Sequence, residues 1–324
     1  MKVFFRQKVI LTVFSVILCS STIIVSSSCV SSGAAQAEEY FTIGMAFFEL
    51  GRFNEAETWL NRAQAADRTM VASEYNLGRI AYETGRYADA VRLFERVLAQ
   101  DPENIMALRA AAYSRIRNGN FEIAMELYDR VLTLIPESAD DGFNYALVLY
   151  SIEKYEDCEE VLNRYPFALE ESPPSRLLLA RTQQAQGKPE AIDNFASWVI
   201  INDRPNPHGL LDYAKALEDA GQYARAIEQL DASLEALPQD TVTLKRSTIR
   251  FEKARILLTV DPENNNGLEE FNAAISGGFS DLEALEELAD DTRIFHAFRE
   301  DIQRALDSIR EKIRAEEEQE EEET

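Results

Sequence analysis

The side chains that could grip another molecule cluster in the first half of the chain. Arg79, Arg109 and Arg117 carry planar guanidinium forks suited to bidentate pairing with carboxylates. Tyr75, Tyr82, Tyr113, Phe143 and Tyr150 offer flat contact area at low entropic cost. Asn76 and Asn144 carry amides that could hydrogen-bond a ligand backbone. This excess of arginine and rings occurs in a chain with 57 acidic against 33 basic residues and a net charge of -24. Arg, Tyr and Asn are also ordinary surface-helix residues, so the set points to binding only if the fold places it on one face.

Turnover chemistry has little to work with. The cysteines are Cys19, Cys29 and Cys158, with no C-x-x-C pair, and the histidines are His208 and His296. That spacing implies no disulfide framework, zinc site or Ser-His-Asp triad. There is no phosphate loop, and the acidic pairs read as solvated helix faces. We expect no enzyme activity, no cofactor and no metal. A surface this acidic excludes nucleic acid as a partner, since phosphate binding needs a basic face. Cys158 reads as a buried, inert thiol, and Trp59 and Trp198 as packing residues.

The elements that must position the binding set are short amphipathic helices. Residues 71–104 read as two of them joined by a turn. Leu77, Gly78 and Ala81 fall on one face of the first helix, and Ala90, Phe94 and Val97 on the inner face of the second. Gly85 ends the first helix, where a residue without Cβ takes positive φ easily, and Pro102 stops the second. The pattern repeats. Turn positions recur every 34 residues at Gly51, Gly85, Gly119, Glu153, Gly187 and Gly221. Two residues later stand Phe53, Tyr87, Phe121, Tyr155, Pro189 and Tyr223. The first helices place a small residue at Gly44, Gly78, Ala112, Ala146, Ala180 and Ala214. The second helices place one at Ala56, Ala90, Ala124, Cys158, Ala191 (one place early) and Ala226. One such hairpin cannot bury its own apolar face and needs neighbours.

The motif L-G-x-x-A-Y-x-x-G-x-Y-x-x-A-x-x-x-F…D-P closely resembles the tetratricopeptide repeat. The resemblance covers residues 38–264 and implies an all-α, right-handed superhelical solenoid of about six units. Packing takes positions 7, 8, 11, 20, 24 and 27 of each repeat. Other first-helix positions then face the concave side, and the binding set of the second to fourth repeats falls there. Asparagines at the position of Asn76 and Asn144 hydrogen-bond ligand backbones in this family. The family's carboxylate clamp is not matched: Tyr75, Arg79 and Ala110 occupy three of its places, so the free chaperone C-terminus is not the expected ligand.

The fourth repeat is irregular, with Glu153 at the turn, Tyr165-Pro166 shortening its second helix and Pro173-Pro174 imposing a bend. Beyond residue 240 the phase decays into a degenerate seventh repeat. Residues 265–314 read as a helical cap, with Ser280 and Asp291-Thr292 as helix starts. Residues 315–324 read as an acidic, disordered or frayed tail. At the other end, residues 1–28 have a basic start (Lys2, Arg6, Lys8) and an apolar core, the pattern of an export signal. Cys29 resembles the lipid-bearing cysteine of bacterial lipoproteins, with a looser box of the kind spirochaete-like lipoproteins tolerate. Cleavage after Ala37 and an uncleaved anchor are the alternatives. Residues 29–37 read as a flexible tether. The expectation is a tetratricopeptide lipoprotein held on a bacterial envelope membrane, binding an envelope protein or peptide as adaptor or scaffold. The alternative is a small-ligand-binding accessory subunit of a solute transporter.

Overall fold

In the computed structural model, residues 33–238, 244–261 and 265–322 are described. The export signal, Cys29 and the start of the tether lie outside the described residues. The chain divides into two compact units, residues 1–154 and 155–324. Among the described residues all regular structure is helical.

The first unit holds α1 (residues 33–49), α2 (Phe53–Ala66), α3 (Val71–Glu83), α4 (Tyr87–Gln100), α5 (Ile105–Arg117), α6 (Phe121–Leu134) and α7 (Ala139–Ser151). Its helices pack in sequential pairs, with α3 against α4 and α5 against α6, and α4 carries the chain onto α5. The second unit holds α8 (Tyr155–Asn163), α9 (Pro166–Glu171), α10 (Pro173–Ala185), α11 (Glu190–Ile201), α12 (Pro207–Asp219), α13 (Tyr223–Ala236), α14 (Arg246–Val260), α15 (Asn266–Ser276), α16 (Leu282–Asp290) and α17 (His296–Glu322). Pairs α10/α11, α12/α13 and α14/α15 repeat the hairpin, and α16 packs on α17.

The small residues predicted at the helix crossings are all buried. Ala112, Ala146 and Ala180 on first helices, and Ala56, Ala90, Ala124, Cys158 and Ala226 on second helices, are 0% exposed. At Gly78 a Cβ would stand 2.7 Å from the Phe94 ring, so only glycine lets α3 and α4 come this close without displacing that ring. A different close approach occurs in the second unit, between successive hairpins, where a Cβ on Gly209 of α12 would meet Trp198 of α11 at 2.5 Å.

The six in-phase hairpin turns close in one way. Gly85 lies at φ 76°, its N–H donates to the Tyr82 carbonyl at 3.0 Å, and the Arg86 N–H donates to the Ala81 carbonyl at 2.8 Å. This is the Schellman closure, which satisfies the orphan carbonyls of the helix end. The turns at residues 51, 119, 153, 187 and 221 make the same pair of bonds. Glu153 adopts the left-handed conformation too, at φ 59°. Helix starts are capped by Asn104, whose Oδ1 accepts from Ala107 N at 3.0 Å, and by Asn206, whose Oδ1 accepts from Gly209 N at 2.8 Å.

Several boundaries differ from expectation. Residues 33–37, expected in the tether, already belong to α1, and Ala37 is buried. The run Ala34-Ala35-Gln36-Ala37 has high helix propensity, which offsets its lack of periodicity. Pro173 and Pro174 do interrupt the preceding helix, but they also open α10, where missing N–H groups carry no cost. Asp281, not Ser280, caps α16 by accepting from Ala284 N at 3.1 Å. Asp291 ends α16 and turns the chain by accepting from Arg293 N at 2.9 Å, so α17 begins only at His296. The acidic stretch from residue 315 is helical through Glu322, as a run of glutamate and glutamine, both good helix formers, allows. Among the described residues no helix is long and apolar enough to cross a membrane.

Candidate functional site

Side chains three and four apart share a helix face. Tyr75, Arg79 and Tyr82 therefore line up along α3, and Arg109, Tyr113 and Ile116 along α5. The residues one repeat earlier, on α1, are Phe41, Met45 and Phe48; those one repeat later, on α7, are Phe143, Leu147 and Tyr150. Phe41, Met45 and Phe48 pack their inner edges on the core around Leu60 and Leu77. Tyr75, Tyr82 and Ile116 do the same around Phe94 and Leu108.

Arg79 is held from two sides. Its guanidinium lies over the Phe48 ring, 4.3 Å from the centroid, and its Nη1 donates to Asn76 Oδ1 at 3.0 Å. Asn76 is buried, and its Nδ2 donates to the Ala72 carbonyl at 2.8 Å. The amide that could have met a ligand backbone thus positions Arg79 instead. Beside it, Tyr75 tilts against Phe94 with centroids 5.5 Å apart, Tyr82 meets Tyr87 edge-on at 5.5 Å, and Tyr113 meets Tyr128 edge-on at 6.2 Å. Burial raises the Tyr75 phenol, opposed by the charges of Arg79 and Arg109. Burial likewise raises Tyr82, opposed by Arg117. Both rings therefore stay neutral hydrogen-bond donors through the ordinary pH range. Burial also pushes the fully enclosed Tyr128 far up.

Between α3 and α5 these groups enclose an open cleft of about 280 Å³, lined by Arg79, Tyr82, Glu83, Phe94, Ala110 and Tyr113. Tyr113 is 42% exposed at its mouth. Nearby, Arg117 Nη2 donates to the Tyr87 hydroxyl at 2.8 Å. Neither Arg79 nor Arg117 has a carboxylate within 4.0 Å among the described residues.

Arg109 is placed differently. Its Nε donates to Asp141 Oδ1 at 2.7 Å and its Nη2 to Oδ2, while Ser138 Oγ donates to the same Oδ2 at 2.6 Å. The Asp141 side chain is 3% exposed, so this fork is a strut from α5 to α7. Phe143, Asn144 and Tyr150 are partly buried on α7 and do not line the cleft. Phe48, Glu83 and Ala110 are the site residues that sequence reasoning missed. Counting back 34 residues from Tyr82 reaches Phe48, so the repeat phase itself carried that signal.

A larger cleft of about 540 Å³ opens along α2 and α4, but its charges are already matched. Arg86 forks onto Glu57 at 3.1 and 2.8 Å, Arg92 pairs with Asp89, Arg96 with Glu74, and Glu95 with Arg115. Cys158 is buried with its Sγ 3.2 Å from Thr182 Oγ1, as befits an inert thiol.

Comparison with known proteins agrees with the repeat fold. A tetratricopeptide-repeat family model matches residues 75–141 and 177–241, and a second tetratricopeptide-repeat model matches residues 37–70. A model of the anaphase-promoting complex, cyclosome, subunit 3, matches residues 117–197. No catalytic family is among the matches. No curated protein matches the chain at a significant level. Among solved structures, a tetratricopeptide repeat protein from Parabacteroides merdae ATCC 43184 is similar over 78% of this chain and 97% of its own, at 20% identity and a TM-score of 0.56. YrrB, described as a TPR protein with an unusual peptide-binding site, is similar over 56% of this chain and 93% of its own, at 16% identity and a TM-score of 0.49. The MamA protein is similar over 58% of this chain and 95% of its own, at 16% identity and a TM-score of 0.48. At these identities the likeness concerns the fold. Arrays of such repeats bind proteins and peptides on their concave surfaces.

Proposed function

The chain is built of tetratricopeptide repeats, and from that premise we propose that it is a peptide- or protein-binding adaptor, held on a bacterial envelope membrane by a lipid on Cys29. The observation that carries the binding reading is the cleft between α3 and α5, where an aromatic surface meets Arg79, with Arg117 nearby, and neither arginine is paired with a carboxylate among the described residues. The export-signal pattern of residues 1–28 and the cysteine that follows it support the membrane reading. Stable anchoring would require more than one acyl chain, since a single chain holds only marginally.

Charge reversal of Arg79 and Arg117 tests the binding reading. Arg109 is left intact because it holds Asp141. Crosslinking in native cells followed by mass spectrometry should identify a partner that the double variant no longer captures, with helicity unchanged. Undiminished capture would move the site off this face. For the anchor, Cys29→Ser should shift the protein from the membrane to the soluble fraction; unchanged partitioning would reject the lipid.

A further inference from the structure

We infer that the α3/α5 cleft admits one aromatic side chain of the partner, with an acidic residue beside it in the partner's sequence pairing with Arg79. This rests on the binding reading above and specifies what is bound. The size argues for a side chain: about 280 Å³ lies below the ~300–1,000 Å³ of pockets that enclose a whole small ligand. The walls argue for a ring. Tyr82, Phe94 and Tyr113 present faces and edges, and ring pairs gain attraction beyond their buried area. Ala110 keeps the floor open, where a larger residue would fill it.

The acid follows from charge. In a chain of net charge -24, Arg52, Arg86, Arg92, Arg96, Arg109 and Arg115 of this unit each sit within an ion pair. Arg79, at the cleft wall, meets the neutral Asn76 and the Phe48 ring and is paired with no carboxylate among the described residues. Those two contacts fix its guanidinium before any partner arrives, so little ordering is needed on binding. The remaining N–H groups form a fork that matches a carboxylate. Glu83 also lines the cleft, one turn along α3 from Arg79 and not paired with it. It gives the site a charge polarity along the helix, with the acid of the partner directed to the Arg79 end.

The test is selection of a displayed library of random dodecapeptides on the immobilised full chain. Enriched sequences should carry Phe, Tyr or Trp next to Asp or Glu. Ala110→Trp, which fills the cleft, should lower recovery of those peptides about tenfold or more. Tyr113→Ala, on the exposed mouth, should lower it as well, and because Tyr113 also packs on the buried Tyr128 its melting temperature is measured alongside. Arg79→Gln should remove the preference for the acid and keep that for the ring. Circular dichroism checks that each variant folds. Enriched peptides lacking either the ring or the acid would overturn the inference, as would recovery unaffected by Tyr113→Ala and Arg79→Gln. If peptides without the motif are enriched and are lost on charge reversal of Arg79 and Arg117, the adaptor reading stands and this specification of its ligand falls.

Discussion

The same positions of the repeat are used in opposite ways in the two units. In the first, α1, α3, α5 and α7 fill them with Phe41, Met45, Phe48, Tyr75, Tyr82, Tyr113 and Phe143, broken only by Arg79 and Arg109. In the second, α10 carries Leu177, Arg181 and Gln184 there, and α12 carries Leu211, Lys215 and Glu218. Arg181, Gln184 and Glu218 are tied up internally. Arg181 Nε donates to Asp212 Oδ2 at 2.7 Å, Gln184 Nε2 donates to the Asp212 carbonyl at 3.3 Å, and Glu218 accepts a fork from Arg255 at 2.6 Å on both oxygens. Arg255 gains a second pairing from Glu252, and although burial opposes its charge, these carboxylates raise its pKa. Among these positions one unit thus presents an aromatic face that includes the carboxylate-free Arg79, and the other a polar face whose Arg181 and Glu218 are ion-paired. Position within the repeat sets which residues are available to solvent, and side-chain pairing decides which are available to a partner.

Removing an arginine from each face sharpens this contrast most. Arg109→Leu strands Asp141, whose side chain is 3% exposed, and should cost about 3 kcal/mol in urea unfolding. Arg181→Leu breaks a pair whose members are 32% and 31% exposed, and should cost less than ~1 kcal/mol. Equal costs would mean that Arg109 is no strut and remains free to bind.

Overpacking the crossings should hurt both units alike, because the scaffold is common to them. Ala90 and Ala226 are both 0% exposed, and Ala90→Leu or Ala226→Leu should each cost ~1–3 kcal/mol. An unaltered melting point for either would break the helix phasing on which the comparison depends.

That phasing was legible in the sequence because packing demands it at fixed intervals. Gly78 must be small for the Phe94 ring, and Gly85 must tolerate positive φ, so residue type and spacing report the fold directly. The site was only half legible. The spacing put Tyr75, Arg79, Tyr82 and Tyr113 on one face, but it could not tell Arg79 from Arg109. Asp141 lies 32 residues beyond Arg109, and only the folded chain shows that it claims one guanidinium and leaves the other. The helix start in the cap was misplaced for a related reason: Ser280 and Asp281 are both good caps, and the choice between them is made by tertiary position.

Acid should loosen the hydrogen-bond network around Glu159 in the second unit. Burial pushes the Glu159 carboxyl up, but hydrogen bonds from Gln183, Lys188 and Gln186 together outweigh it and hold the group below the usual range. A carboxylate with a lowered folded pKa contributes stability above its unfolded value of about 4.3, and loses it as pH falls through the folded value. Glu159→Gln should therefore lower stability at neutral pH and flatten the decline between about pH 5 and 3, read from urea midpoints. The phenols of the first unit are raised, not lowered, so peptide capture there should not vary between about pH 6 and 9. Capture that fell across that window would place a different titrating group in the cleft.

The smallest effect concerns the turn at the edge of the first unit. Five of the six in-phase turns use glycine, whereas Glu153 takes φ 59° with a Cβ present. The left-handed conformation costs a residue with a Cβ roughly 1–2 kcal/mol, and glycine gives back part of that through greater freedom in the unfolded chain. The Schellman bonds at this turn, Glu153 N to the Tyr150 carbonyl at 3.1 Å and Lys154 N to the Leu149 carbonyl at 2.9 Å, are the same as at the glycine turns, so the substitution should keep them. Glu153→Gly should accordingly stabilise the first unit by about 0.5–1 kcal/mol, a rise of a few degrees in its melting temperature. A fall instead would mean that the Glu153 side chain stabilises this turn by more than its backbone strain costs, setting it apart from its five glycine counterparts.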